Sequence, residues 1–254
     1  MLWAASMLVP TELVLEKYRV VRELRRGRRG QLLLGWHEGL DAEVDLAVLD
    51  VGQTDPMERE HVLRDAERLR RLRDPILTEV RDVGLLEDGA PCVVLEPMTG
   101  RSLAGLLTER GPLPWAEAAR VGEIIGMALG AKLTAGIAHG DLAPDDIYIG
   151  ETGVRLVAFG VGRAVGLAPA KNDVVALGAV LAETLSGIRV DRGRPESVRF
   201  AAPAGLPAVP GVFVELIGEM LAPRGNGRGD LAGIVDRLGE IARAGRKSTL
   251  KSRD

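Results

Sequence analysis

The apolar pattern of this 254-residue chain changes period once, at Met98-Thr99-Gly100. Before that point the chain carries short runs rich in Val and Leu: YRVVREL from Tyr18, GQLLLGW from Gly30, VDLAVLDV from Val44, TEVRDVGLL from Thr78 and PCVVLEP from Pro91. Arg/Gly and Gly-Leu-Asp-Ala breaks, and the turn Glu87-Asp88-Gly89, separate them, so they predict a five-strand sheet. One helix interrupts it. Thr54 or Asp55 is its N-cap, Pro56 its first position, and Glu58 and Glu60 fall in its first turn. Val62, Ala66, Leu69 and Leu72 recur at spacings of four, three and three and form one apolar stripe, which Asp74-Pro75 ends. After Gly100 the pattern is helical. Ser102 caps a short helix through Leu107, and Pro114 opens a long one running to about Ala138. A small hairpin, DDIYIG and GVRLVAF around Glu151-Thr152-Gly153, precedes helices at Asp173–Ser186, Phe213–Leu221 and Leu231–Ala244. The expectation is an α+β chain of two lobes: residues 14–97 with five strands and one helix, residues 98–245 mainly helical, and a basic flexible tail at 246–254.

Composition narrows the function classes. Hydrophobic residues make up 46% of the chain and charged residues 27%, which excludes a disordered protein too apolar-poor to fold. A formal charge of −3 supplies no broad cationic field for nucleic acid. The single cysteine, Cys92, excludes an intrachain disulfide framework and a cysteine-built zinc site. No stretch reaches the roughly 18 apolar residues of a membrane span. The opening MLWAASMLVP lacks a basic start and soon meets Glu12 and Glu16, against a signal peptide. A reducing, cytoplasmic setting is expected. The 32 glycines call for an explanation that composition does not give.

Six segments, in order, resemble bacterial Ser/Thr protein kinases. His139-Gly140-Asp141-Leu142-Ala143-Pro144-Asp145-Asp146-Ile147 resembles the catalytic loop, and Ala158-Phe159-Gly160 stands where that family carries Asp-Phe-Gly. A strand–turn–strand lies between them, and Pro112-Leu113-Pro114 introduces the long helix as bacterial Ser/Thr kinases do; Leu46-Ala47-Val48-Leu49 and Arg25-Arg26-Gly27-Arg28-Arg29-Gly30 fall where the family carries its Val-Ala-Ile-Lys strand and glycine loop. Val94 to Leu103 looks like the hinge, with Glu96 and Met98 as its cofactor-binding positions, and Asp173 to Gly187 resembles the central helix of the large lobe. The resemblance runs from about Tyr18 to Leu238 and implies a two-lobed protein kinase-like fold.

What it implies chemically depends on each position. Phosphoryl transfer needs phosphates cradled, a lysine on them, metal ions held by carboxylate and amide, and a base at the acceptor hydroxyl. Leu49 stands in place of the lysine and carries no charge, and Asp65 stands in place of its glutamate partner. Ala158 replaces the metal aspartate. Asp146 falls at the second-metal position and is a doubtful ligand by itself. Asp141 occupies the catalytic-base position as a vestige. Gly27 and Gly30 remain in a degenerate glycine loop whose first glycine is Arg25. Only twelve residues, Val161 to Asn172, separate Gly160 from Asp173, so the activation segment is short. Arg228 is a loose match to the arginine that pairs with the missing glutamate of that segment.

The resulting expectation is a pseudokinase: not an enzyme, a protein-binding scaffold or regulator, with no cofactor beyond weak ATP binding. Its expected partner is a protein such as an active Ser/Thr kinase or a phosphopeptide-binding domain, with no nucleic acid and no transmembrane segment. Asp141 and His139 are then organisers of a loop against Asp173, Asp145-Asp146 a solvated turn, and Cys92 a core residue. The alternative is an atypical ATP-dependent kinase or nucleotide-binding switch using Asp141, Asp146 and a glycine-loop arginine, Arg28 or Arg29. Ser248, Thr249 and Ser252 among basic residues are candidate phosphorylation sites, against an unstructured end.

Overall fold

The computed structural model describes residues 13–27, 30–50, 56–140, 142–157, 171–190, 208–222 and 231–251. The chain divides into two units, each taken by itself. Among the described residues, the first holds 13–73 and 78–98 and the second holds 74–77 and everything from 99 onward.

The first unit is an antiparallel sheet with one helix. Its strands are β1 (Leu13–Val14), β2 (Tyr18–Gly27), β3 (Gly30–His37), β4 (Ala42–Leu49), β5 (Val80–Leu85) and β6 (Pro91–Leu95), in the order β1-β2-β3-β4-β6-β5. The five expected strands are thus joined by a sixth of two residues. Leu15 and Glu16 adopt positive φ, 50° and 59°, and this reversal folds Leu13 and Val14 back onto Arg19 and Tyr18. The inner strands β4 and β6 read as continuous apolar runs because both of their faces are covered. Val44, Leu46 and Val48 join Cys92, Val94, Leu33, Val20 and Tyr18 in one cluster. By the two-residue period of a strand, Asp45, Ala47 and Leu49 then lie on the opposite face with Val93 and Leu95. Helix α1 (Pro56–Arg71) buries Val62, Ala66 and Leu69 of its expected stripe, while Leu72 falls just past its end and is only partly buried. Its N-cap positions, Thr54 and Asp55, lie outside the described residues.

Helices α2 (Leu103–Arg110), α3 (Trp115–Thr134), α4 (Lys171–Ser186), α5 (Gly211–Leu221) and α6 (Leu231–Lys251) make up most of the second unit. A small sheet orders β7 (Arg101–Ser102), β8 (Ile147–Gly150) and β9 (Gly153–Leu156) as β7-β8-β9. Ser102 caps α2 as the sequence implies, its Oγ accepting the Gly105 N–H at 3.1 Å. That helix runs three residues past Leu107, because nothing breaks it before Gly111 at φ 77°. Helix α3 stops at Thr134 rather than Ala138, where Gly136 turns the chain at φ 76°.

Glycines set how closely these helices approach. A Cβ on Gly122 would meet Leu181 Cδ2 at 2.8 Å, one on Gly126 would meet Val235 Cγ2 at 2.6 Å, and one on Gly178 would meet Met220 Cβ at 2.9 Å. Part of the glycine surplus is therefore a helix-packing device. The largest difference from the sequence reading is at the C-terminal end. Residues 246–251 were expected as flexible tail, yet α6 continues through Lys251. No proline follows Ala244, and the turns packed upstream carry the helix across Gly245 and the polar residues beyond it.

Candidate functional site

The expected glycine loop is a tight hairpin. Gly27 pairs with Gly30, and the ladder runs on through Arg26 with Gln31 and Arg25 with Leu32. Arg26 is held at 2.6 Å by Glu23 and at 2.7 Å by Gln31. Gly30 has a structural reason to be glycine: at φ 152° a Cβ would lie 2.1 Å from the Val48 carbonyl oxygen. Arg28 and Arg29 lie outside the described residues.

Strand β4 ends on Leu49, opposite Gly30 and only 3% exposed. The end of this strand is apolar and closed. On α1, Asp65 Oδ1 lies 3.5 Å from Arg68 of the same helix. At the hinge, Glu96 and Glu79 are stitched together. The Glu96 N–H donates to the Glu79 carbonyl at 3.0 Å, and the Glu79 N–H donates to Glu96 Oε1 at 2.9 Å.

The Met98 N–H donates to Asp45 Oδ2 at 3.0 Å. Asp45 is 2% exposed, and burial pushes its carboxyl up to about 6, with Glu43 adding to the rise and the Met98 N–H and Arg22 opposing it. Asp45 has no expected role in the kinase resemblance. Its signal was present as the one acid inside the apolar run Val44 to Leu49.

The catalytic-loop segment is well anchored. Asp173, in the first turn of α4 and 4% exposed, accepts the N–H groups of His139 at 2.7 Å and Gly140 at 2.8 Å, one on each carboxylate oxygen. Gly140 stands at φ 84°, a conformation that suits glycine and strains a residue with a Cβ. His139 Nε2 lies 3.2 Å from the Val157 carbonyl. One 3-10 turn, Pro144–Asp146, follows. There Asp146 Oδ2 accepts the Ala143 N–H at 2.9 Å, and Asp146 is 4% exposed. This carboxylate is a buried cap of its own turn, not the solvated turn residue the sequence suggested. Its neighbour Asp145 faces Arg189 at 3.9 Å. Asp141, Ala158, the segment 158–170 and Arg228 lie outside the described residues.

The Met98 amide and the Asp146 carboxylate are both engaged within the fold, and position 49 carries no charge. Among the described residues, no three His, Cys, Asp or Glu side chains gather as a metal site. No helix among them is long and apolar enough to cross a membrane.

No family model matches the chain. Its sequence is 34% identical over 182 residues to the serine/threonine-protein kinase pkn2 of Myxococcus xanthus, covering 69% of this chain and 21% of that protein. It is 31% identical over 170 residues to PknK of Mycobacterium tuberculosis, covering 66% of this chain and 15% of that protein. It is 32% identical over 187 residues to PknL of M. tuberculosis, covering 71% and 46%. The chain thus spans less than half the length of these curated relatives. The crystal structure of the M. tuberculosis PknI kinase domain superposes with a TM-score of 0.72 at 21% identity, over 89% of this chain and 96% of that one. This likeness establishes the two-lobed kinase fold. The expectation that the chain is not an enzyme is corrected by the same comparisons, because the relatives are named as serine/threonine-protein kinases. Replacement of individual side chains does not by itself set a chain outside a family of enzymes. Shared sequence and shared fold together place this chain in the bacterial serine/threonine protein kinase-like family.

Proposed function

We propose that this chain acts as a protein-binding regulator within Ser/Thr kinase signalling. One observation carries the reading: among the described residues, the loop of the second unit keeps its carboxylate anchors while the lysine position of the first unit is closed and apolar. The Asp173 carboxylate receives both the His139 and Gly140 amides, and Asp146 caps its turn, so the described residues on either side of Asp141 are held. Leu49 is buried and cannot neutralise a phosphate. A held loop in the second unit and an uncharged lysine position in the first support recognition of a protein partner by shape.

The test is addition of the purified chain to an active Ser/Thr kinase from the same organism. The expected result is a complex by sedimentation and a changed rate of substrate phosphorylation. An unchanged rate with no complex at tens of micromolar overturns the reading.

The names of the relatives favour a second reading, an atypical ATP-dependent kinase or nucleotide switch. Its residues would be Asp141 as base, Asp146, and Arg28 or Arg29 as the cation. A thermal-shift titration with ATP and magnesium or manganese separates the two readings. A shift together with labelled-phosphate transfer that is lost in Asp141→Asn supports the second. A shift without transfer leaves the switch, and no shift at millimolar nucleotide removes both.

A further inference from the structure

The sheet of the first unit ends on β5 at one side and on the two-residue β1 at the other. Strand β5 is held by the turn that follows β1. Lys17 Nζ donates to Asp82 Oδ2 at 2.9 Å, the Tyr18 hydroxyl donates to the same oxygen at 3.1 Å, and a Cβ on Gly84 would meet Leu15 Cδ2 at 2.6 Å. Strand β1 itself pairs only with Tyr18 and Arg19 of β2. Among the described residues, no strand pairs with β2 on that side from Val20 to Arg26, so its outward N–H and C=O groups lack a ladder partner.

Two β-bulges decide which side chains line this edge. The register of β2 on β3 slips between Val20 and Arg22 and again between Glu23 and Arg25. An unbroken strand would put residues 19, 21, 23 and 25 on one face. The bulges instead bring Arg19, Arg22 and Arg25 into one row, opposite Trp36, Leu34 and Leu32 of β3. The skipped residues, Val21 and Leu24, are 43% and 37% exposed. Strand β2 thus sets Arg19, Arg22, Arg25 and Arg26 against Glu23 alone. Arg19 is held by Glu38 at 2.7 Å, and Arg26 by Glu23 and Gln31. Arg22 is exposed and makes no hydrogen bond or ion pair among the described residues.

We propose that the open edge of β2 is a docking strip for an acidic, extended segment of a partner protein, which adds to the sheet as a further strand. The segment's backbone takes the outward amides and carbonyls between Val20 and Arg26. Side chains of an extended segment alternate, so carboxylates two positions apart, as in Glu-x-Glu, fall on one face and meet Arg22 and Arg25. Apolar residues between them cover Val21 and Leu24. Charge complementarity selects this occupant. A row of arginines repels a basic strand, and it repels the same edge of a second copy, where arginine would face arginine. The inference rests on the regulator reading above for the partner's being a protein, and it names the surface and the chemistry that partner presents.

The test uses the full chain and a short synthetic peptide of alternating Glu and Val, with a Lys and Val peptide as control. Affinity and amide exchange are measured by NMR for the parent chain, Arg22→Glu, and Arg68→Glu on α1 as a charge change away from the edge. The acidic peptide should slow exchange at the outward amides between Val20 and Arg26. Its affinity should fall about tenfold in Arg22→Glu and stay unchanged in Arg68→Glu, and the control peptide should do neither. If Arg22→Glu does not fold, Arg22→Ala decides, with a smaller factor. Equal affinity in parent and Arg22 variant, or protection that falls elsewhere, overturns the inference. So do edge amides already protected without peptide and unchanged by it, which would assign the edge to this chain's own N-terminal residues. A dimer that Arg22→Glu dissolves overturns it as well, in favour of a second copy. A complex with an active Ser/Thr kinase, formed by a chain that ignores the acidic peptide, overturns the inference and leaves the regulator reading standing. Peptide bound at the edge without any kinase complex supports the inference while the regulator reading falls.

Discussion

Replacing Asp45 by Asn should remove a pH dependence from the stability of the first unit. The carboxyl rises from 3.8 to about 6 on folding, so the native state binds its proton more tightly than the unfolded chain does. For a carboxylate the sign is the reverse of the usual case. The stability is present below the unfolded value and is lost as pH rises through the folded one. Two pKa units at about 1.4 kcal/mol each amount to about 3 kcal/mol, lost between about pH 4 and pH 6. With only 2% of the residue exposed, solvent screening discounts little of this. The assay is hydrogen exchange at the amides of β4 and β6 from pH 4 to 7.5, corrected for intrinsic rates and read in free-energy units for parent and variant. The variant should gain about 3 kcal/mol relative to the parent across that window, with little change between low and high salt. A difference that stays constant with pH would refute the reasoning. It would mean that Asp45 is hydrated, or that another group supplies the charge compensation.

Three further outcomes are expected. Asp173→Ala leaves the His139 and Gly140 amides without their acceptor and should lower the stability of the second unit by about 3 kcal/mol in urea titration, with Asp173→Asn falling between. Gly126→Ala places a methyl 2.6 Å from Val235 Cγ2 and should cost about 1–3 kcal/mol, read as a lower Tm, whereas Gly218→Ala meets nothing within 4 Å and should stabilise. Leu49→Lys puts an ammonium at a position that is 3% exposed and should lower the urea midpoint of the first unit, and an unchanged midpoint would show that the new charge finds a partner there.

Much of the fold was legible because it is written in local periods. The runs from Tyr18, Gly30, Val44, Thr78 and Pro91 became strands, and the stripe Val62, Ala66 and Leu69 became the buried face of α1. Ser102 was readable as a cap because capping involves neighbours three residues apart. The misses share a cause. The two-residue β1 depends on Leu15 and Glu16 adopting positive φ, which neither residue type advertises. The extent of α6 depends on what its upstream turns pack against, as where Gly245 comes against Ala116 and Trp115 at the start of α3. His37, to which the sequence reading assigned no role, accepts the Gly39 and Leu40 amides at Nδ1 and so shapes the turn between β3 and β4.

The sequence by itself determined the family, the order of the elements and which chemical groups stand at each matching position. Residue type and order along the chain are one-dimensional facts, and the change of period at Met98-Thr99-Gly100 belongs among them. Only the tertiary structure decided how the remaining groups are used. Asp146 is a buried cap, Asp173 holds two amides, and Asp45 closes the hinge donor at Met98, because burial and hydrogen-bond partners arise between residues far apart in the chain. A carboxylate's role is set by which N–H groups face it and how much water reaches it, and neither is specified until the strands and helices have packed.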